Sequence, residues 1–186
     1  MKTLKEKLKK VRKTPLEVFR MKLDDAIVSQ TAKEKVGWVS PEYSQSKRID
    51  LDPQVATDNK CIAVFPEIVE TDAYRVLRAQ VLHRTLEGRG NAIMITSALP
   101  EEGKTMTTIN LAFTLAREFK QTVLIVDCDL KQQNVHKKLG IVNESGLIDY
   151  LLNDVPINEL IIWPGVEKLT LISGGKTIQD SSELLA

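Results

Sequence analysis

The residues that could do chemistry are concentrated where a predicted strand passes into a predicted helix. Residues 98–105 read Ala-Leu-Pro-Glu-Glu-Gly-Lys-Thr, which departs from the phosphate-binding pattern Gly-x4-Gly-Lys-Ser/Thr only at Ala98. In that pattern, backbone N–H groups and a helix N-terminus surround phosphate oxygens. Gly103 admits the phosphate to the backbone, Lys104 brings charge to the β- and γ-phosphates, and Thr105 offers its hydroxyl to Mg²⁺. The predicted nucleotide contacts are seven consecutive residues of this segment and the helix start: Pro100, Glu101, Glu102, Gly103, Lys104, Thr105 and Met106.

Two carboxylates follow the next apolar run along the chain. Residues 123–126 (VLIV) lead directly into Asp127-Cys128-Asp129. Strand alternation predicts that Asp127 and Asp129 face one side and Cys128 the other, as a buried, reduced thiol. Ligands bind at the carboxyl ends of parallel strands, so one carboxylate can hold Mg²⁺ or its water shell while the other accepts a proton. The predicted catalytic residues are Lys104, Asp127 and Asp129, and the predicted magnesium residues are Thr105 and Asp127, the latter directly or through water.

Hydrophobic patterning predicts the elements that position these groups. We expect helices at 72–86, 104–119, 147–152 and 157–161, and buried strands at 92–97, 122–126 and 169–172. Strand and helix alternate with short connections, which indicates an α/β fold with a mostly parallel sheet and covering helices. The inner face of the helix after the loop is predicted to be Ile109, Ala112, Phe113 and Ala116.

Composition limits the class of protein and divides the chain in two. The 186 residues carry 26 basic and 25 acidic side chains and two cysteines, which excludes disordered and disulfide-stapled classes. We find no apolar run long enough to cross a bilayer and no secretory signal. Residues 1–60 have 14 basic and 9 acidic side chains and are predicted to be a basic arm and linker, with an amphipathic helix in 1–22 and the linker over 29–60. Residues 61–186 are predicted to be the nucleotide-binding domain.

The phosphate loop and the Asp-Cys-Asp segment occur in a longer stretch that resembles a known family. ITSALPEEGKTMTTINLA, VLIVDCDLKQQNVHKKLG, GLIDYLL and SSELL together resemble the bacterial tyrosine kinases of polysaccharide synthesis and export, the CpsD/CapB type. The resemblance runs from about residue 72 to 186. It implies a P-loop fold of the MinD-like class, with Walker A residues Gly103, Lys104 and Thr105 and a Walker A′ segment carrying the two aspartates.

The resemblance also implies oligomer contacts, cofactors and partners. In the family, a Glu-x-x-Arg-x-x-Arg helix mediates contact in a homo-oligomeric ring, and the matching positions here are Asp72, Arg75 and Arg78. The implied cofactors are ATP and Mg²⁺. The implied partners are a tyrosine-containing protein substrate and a membrane-embedded polysaccharide co-polymerase or chain-length regulator, which would place the chain in the cytoplasm at the inner face of the membrane. Nucleic-acid binding is not expected, because the basic run lacks interleaved aromatic residues.

Several positions depart from the family. Glu101 stands where the family usually has a glycine-like turn residue, and residues 130–133 read Leu-Lys-Gln-Gln instead of Leu-Arg-Arg-Pro. The family's Walker B strand and tyrosine-rich tail would follow SSELL, so we expect an incomplete domain that binds nucleotide weakly. Only Tyr43, Tyr74 and Tyr150 are present, and they are not clustered.

Three functions remain open from the sequence. The first is an ATP-dependent protein-tyrosine kinase that regulates exopolysaccharide or capsule synthesis. The second is a MinD/ParA-like positioning ATPase, but Leu99 stands where those proteins carry their signature lysine. The third is a non-catalytic module that docks on a polysaccharide co-polymerase.

Overall fold

The computed structural model describes residues 43–44, 46–65, 71–88, 90–117 and 122–177. The chain separates into two units, Met1–Gly37 and Trp38–Ala186, and every described residue belongs to the second. The amphipathic helix predicted in 1–22 and the SSELL segment lie outside the described residues. In chain order, the strands are β1 (Lys47–Arg48), β2 (Val123–Val126), β3 (Ile162–Trp163) and β4 (Leu169–Ile172). The helices are α1 (Pro53–Asp58), α2 (Asp72–Gly88), α3 (Lys104–Ala116), α4 (Val135–Lys138), α5 (Leu147–Asn153) and α6 (Ile157–Leu160), with a 3₁₀ turn at Ile62–Val64.

The four described strands form one sheet in the order β1-β3-β4-β2. The pairs β1–β3 and β2–β4 are parallel, and only β3–β4 is antiparallel, so the predicted mostly parallel sheet is confirmed. In β2–β4, Val123 pairs with Leu169 and Val126 with Ile172. The ladder continues past β2, because the Asp127 N–H donates to the Ile172 carbonyl at 3.0 Å. The residues after β2 and after β4 therefore emerge at the same edge of the sheet.

Helix α3 is the centre of the core. Its residues from Ile109 to Ala116 are all buried, and the four predicted inner positions are among them. A helix that is buried all round needs neighbours on several sides. Helix α3 has them, because it packs against α2, β2 and the 3₁₀ turn.

The predicted strand at 92–97 is wrong. The segment is not in the sheet; Met94 is 87% exposed and Ile93 46% exposed. A strand exists only through hydrogen bonds to a neighbouring strand, and none of the four strands in the described part of the chain pairs with this segment. Apolar composition alone therefore does not make these residues a strand.

The predicted linker over 29–60 is wrong for residues 46–60. Strand β1 pairs with β3, and Asp52 caps α1 by accepting the Gln54 and Val55 N–H groups. Leu51 and Ala56 are buried in the core. These residues fold with the nucleotide-binding unit, so the predicted boundary at residue 60 falls inside it.

Candidate functional site

The phosphate loop, residues 98–105, has the backbone of an anion-binding turn. Gly103 has φ +93° and Glu101 has φ +65°, both in the left-handed region. Left-handed residues in a turn direct successive N–H groups to one side, which creates a concavity for anions. Helix α3 begins immediately after Gly103, and its first bond joins the Thr107 N–H to the Gly103 carbonyl at 2.8 Å. The N–H groups of residues 104–106 precede that bond and lie at the positive end of the helix.

Two side-chain hydrogen bonds to the Leu99 backbone hold the first part of the loop in place. The Glu102 carboxylate accepts the Leu99 N–H at 3.0 Å, and the Ser97 hydroxyl donates to the Leu99 carbonyl at 2.9 Å. Glu101 occupies the position where the family usually has a glycine-like residue, and it adopts the conformation that glycine adopts most easily. A non-glycine residue therefore stands at a left-handed position of this loop.

Lys104 lies beside the second aspartate. Its Nζ is 3.0 Å from Asp129 Oδ2, and the two side chains are 27% and 28% exposed. The other Asp129 oxygen accepts the Gln132 N–H at 2.9 Å. Partial burial would raise the pKa of Asp129, but the hydrogen bond from Lys104 and those from the Gln132 and Lys131 N–H groups outweigh it and lower that pKa. An ionised carboxylate and an ammonium group therefore meet where the loop becomes the helix.

Asp127 organises the loop that follows β2. It is 6% exposed; Oδ1 accepts the Asp129 N–H at 3.2 Å, and Oδ2 accepts the Asn134 and Val135 N–H groups at 3.0 and 3.1 Å. Asp127 thereby holds the start of α4 and the backbone of Asp129. Both aspartates lie at the carboxyl edge of the sheet, as expected, and Asp129 is the one that touches Lys104. The predicted magnesium residues, Thr105 and Asp127, stay a prediction.

The two cysteines differ in exposure. Neither Cys61 nor Cys128 is in a disulfide, and the reduced state of Cys128 stays a prediction. The predicted burial of Cys128 is wrong, because Cys128 is exposed while Cys61 is fully buried. Alternation itself holds through residue 128: Ile125 and Asp127 are buried, whereas Leu124, Val126 and Cys128 lie on the exposed face of the strand.

The three residues predicted to contact another subunit make contacts within α2 and α3. Asp72 and Arg75 form a 2.7 Å ion pair one turn apart, with side chains 62% and 49% exposed. Arg78 points inward and donates to the Thr114 carbonyl of α3 at 3.0 Å. Thr114 lies in the last turn of α3, where carbonyls have no helical partner, so Arg78 caps that end. A role in oligomer contact stays a prediction.

Sequence reasoning missed two residues that support the site. Asn110 is fully buried in α3 and joins this helix to residues 60–63. Its Nδ2 donates to the Lys60 and Met106 carbonyls at 3.0 Å, and its Oδ1 accepts the Ala63 N–H at 2.8 Å. An asparagine in the middle of an apolar helix is the signal that could have found it.

The second missed residue is Gly146, which permits the turn after β4 to approach the start of α5. A Cβ there would collide with the Ser173 carbonyl and the Gly175 nitrogen. The Leu147 N–H donates to the Ser173 carbonyl at 2.8 Å, and the Asp149 carboxylate accepts the Gly146 N–H at 2.7 Å. The chain after β4 is thus fixed at the same edge of the sheet as the two aspartates.

Comparison with known proteins agrees with this geometry. A family model described as "AAA domain" matches residues 90–186. The "Putative tyrosine-protein kinase in cps region" of Klebsiella pneumoniae is 34% identical over 142 residues, which are 75% of this chain and 19% of that protein. "Tyrosine-protein kinase YwqD" of Bacillus subtilis (strain 168) is 30% identical over 121 residues, which are 65% of this chain and 51% of that protein. The chain therefore spans about a fifth of the first relative and about half of the second.

Solved structures show the same fold. The kinase domain of the Escherichia coli tyrosine kinase ETK superposes with a TM-score of 0.61 and 27% identity, over 78% of this chain and 60% of that one. The chimerical protein CapA2B2 superposes with a TM-score of 0.58 over 85% of this chain and 65% of that one, at 24% identity. The predicted P-loop α/β fold is confirmed. The chain belongs to the AAA domain family, and it is similar to bacterial tyrosine-protein kinases in sequence and in fold.

Two absences complete the description. Among the helices of the described ranges, none is both long and apolar enough to cross a membrane. Within the same ranges, His, Cys, Asp and Glu side chains form no group of three that could hold a metal ion.

Proposed function

We propose that this chain binds ATP with Mg²⁺ on the phosphate loop and forms part of a protein-tyrosine kinase that regulates capsule or exopolysaccharide synthesis. The observation that carries the proposal is the Lys104–Asp129 pair at the N-terminus of α3, at the edge where Asp127 also lies. Phosphoryl transfer needs mainly positioning and charge neutralisation, and this edge provides a cationic side chain, helix N–H groups and carboxylates. The names of the relatives supply the tyrosine substrate and the capsule context.

The residues present fit a magnesium nucleotide. The left-handed turn at Glu101 and Gly103 leaves backbone N–H groups to surround phosphate, and at φ +93° Gly103 has a conformation that residues with a side chain rarely adopt. Thr105 and Asp127 offer the oxygen donors that Mg²⁺ prefers. When bound, Mg²⁺ would offset the negative charge of the phosphates.

Each side chain has a proposed part in the transfer. Lys104 would bind the β- and γ-phosphates as a mobile point charge. Asp127 or Asp129 would accept the proton of the acceptor tyrosine hydroxyl. Asp129 is the more accessible of the two, because both Asp127 oxygens already accept backbone N–H groups and that residue is 6% exposed.

Partners and assembly belong to the same proposal. A membrane-embedded polysaccharide co-polymerase would hold the chain at the cytoplasmic face of the membrane. Asp72 and Arg75 are exposed and could contact a neighbouring subunit in a ring. Arg78 would contribute indirectly, since its guanidinium donates to the end of α3.

The test is a kinase assay with a matched lysine control. The full chain is incubated with γ-labelled ATP, Mg²⁺ and a glutamate–tyrosine copolymer, beside Lys104→Met and Lys137→Met. Lys137 is an exposed lysine on α4, so its variant removes the same charge away from the loop. We expect label on tyrosine that is lost only in Lys104→Met. ATP hydrolysis without phosphotyrosine would favour a positioning ATPase, and binding without turnover would favour a docking module.

A further inference from the structure

The lysine that the proposed function assigns to phosphate already has an anionic partner. Lys104 Nζ lies 3.0 Å from Asp129 Oδ2, and about a quarter of each side chain is exposed. The ammonium has three N–H donors, and the carboxylate takes one of them and so sets the position of Nζ. A nucleotide phosphate that draws Nζ toward itself therefore weakens the contact with this carboxylate.

The carboxylate is the fixed member of the pair. Asp129 Oδ1 accepts the Gln132 N–H at 2.9 Å, and the Asp129 N–H donates to Asp127 Oδ1 at 3.2 Å. The other Asp127 oxygen is bonded to the backbone at the start of α4. Lysine, in contrast, carries its charge on a flexible four-carbon stem. Lys104 is thus the side chain that would move when phosphate arrives.

We propose that Asp129 is a positioning residue that holds Lys104 in the nucleotide-free site and lowers nucleotide affinity until phosphate displaces it. This inference rests on the proposed binding of nucleotide at the phosphate loop. Its physical basis is that a ligand binds more weakly when its competent state is only a fraction of the population. The Asp127 carboxylate contributes by fixing the backbone from which Asp129 reaches Lys104.

The expected change in nucleotide affinity follows from the partial exposure of the Lys104 and Asp129 side chains. Partly exposed ion pairs are weak, so releasing Lys104 should tighten binding by about two- to fivefold. Asp129→Asn is the suitable change, because the amide keeps an oxygen that can accept the Gln132 N–H while the charge is lost. Glu144→Gln is the matched control: it also removes one negative charge, but Glu144 is exposed, faces Lys176 and lies outside the phosphate loop.

Binding is measured by calorimetry with ADP in the presence of EDTA, so that magnesium ligation by either aspartate does not contribute. We expect the dissociation constant of Asp129→Asn to fall by about two- to fivefold and that of Glu144→Gln to change less. Equal tightening in both variants would show general charge repulsion and overturn the proposal. Unchanged or weaker binding in Asp129→Asn would overturn it as well.

A second measurement tests the pair without nucleotide. Lysine acylation in the free protein is followed by mass spectrometry, with exposed Lys137 as the internal reference. We expect Lys104 to react faster in Asp129→Asn than in the unmodified chain, and equal rates would overturn the proposal. If no variant bound ADP, the proposed function would fail, while the acylation rates would still report on the pair itself.

Discussion

Asn110 couples the phosphate-loop helix to the segment that precedes the loop in the chain. Its carboxamide bonds to the Lys60 and Met106 carbonyls and to the Ala63 N–H, all at 2.8–3.0 Å, and the side chain is fully buried. Met106 lies in the first turn of α3, beside Lys104. Asn110 therefore stabilises both the packing of residues 60–63 and the start of the helix that would bind phosphate.

Asn110→Ala removes all three bonds. The Ala63 N–H and the Lys60 carbonyl would lose their partners inside the protein, and a buried polar group without a partner costs about 1–3 kcal/mol. Partial rearrangement offsets some of this, so we expect the free energy of unfolding to fall by about 2–4 kcal/mol. That is a large part of the stability of an ordinary domain, about 5–15 kcal/mol.

Urea unfolding followed by circular dichroism measures this loss. Asn153→Ala is the matched control, because Asn153 is exposed and makes one 3.3 Å bond to Asp149; we expect a change within about 0.5 kcal/mol. Asn110→Asp keeps an acceptor for the Ala63 N–H but places oxygen against the Lys60 carbonyl, and should destabilise at least as much as Asn110→Ala. A loss below about 1 kcal/mol in Asn110→Ala would refute the reasoning, since it would show that the buried bonds contribute little.

Three further predictions concern residues away from the phosphate loop. Gly146→Ala should strongly lower the melting temperature, because the added Cβ would collide with backbone atoms. Gly90→Ala is the control and should not lower it, because no atom lies within 4 Å of a Cβ at that position. Similar melting temperatures for the two variants would contradict the geometry. Burial, more than the nearby acidic charge, raises the pKa of Tyr43 despite a backbone hydrogen bond that lowers it. Tyr43 therefore contributes to the free energy of unfolding. The contribution is fully present below pH 10.0, the ordinary tyrosine pKa, and is lost as pH rises through the raised pKa of Tyr43. Unfolding measured from neutral to alkaline pH should show this loss in the unmodified chain and not in Tyr43→Phe. Burial raises the pKa of Cys61 to about 11, and burial together with the nearby Asp127 charge also raises the pKa of Cys128. Because Cys128 is exposed and Cys61 is buried, a thiol reagent should label Cys128 first; faster labelling of Cys61 would contradict its burial.

Local spacing accounts for the parts that the sequence predicted correctly. Helices α2, α3 and α5 and strands β2 and β4 lie where apolar periodicity predicted them, because each pattern is contained within its own element. Gly103, Lys104 and the two aspartates follow from motifs of a few residues, so they too could be predicted without a fold. The sequence also indicated that the two aspartates share an edge with the loop.

The parts that were missed depend on partners far along the chain. Residues 92–97 have the composition of a strand, but pairing decides whether a strand forms, and the described strands pair elsewhere. Strands β1 and β3 are two residues each and carry no readable period; they exist because β1 pairs with β3 and β3 pairs with β4.

By itself, the sequence determined the chemistry: a glycine, a lysine, a threonine and two carboxylates at spacings that only a nucleotide site explains well. Tertiary structure decided how those groups are held. It placed Asp129, and not Asp127, against Lys104; it engaged Asp127 with backbone N–H groups; and it anchored α3 through Asn110. The physical reason is that these contacts are hydrogen bonds and ion pairs between separate segments, and their geometry is set only when the sheet and α3 pack together.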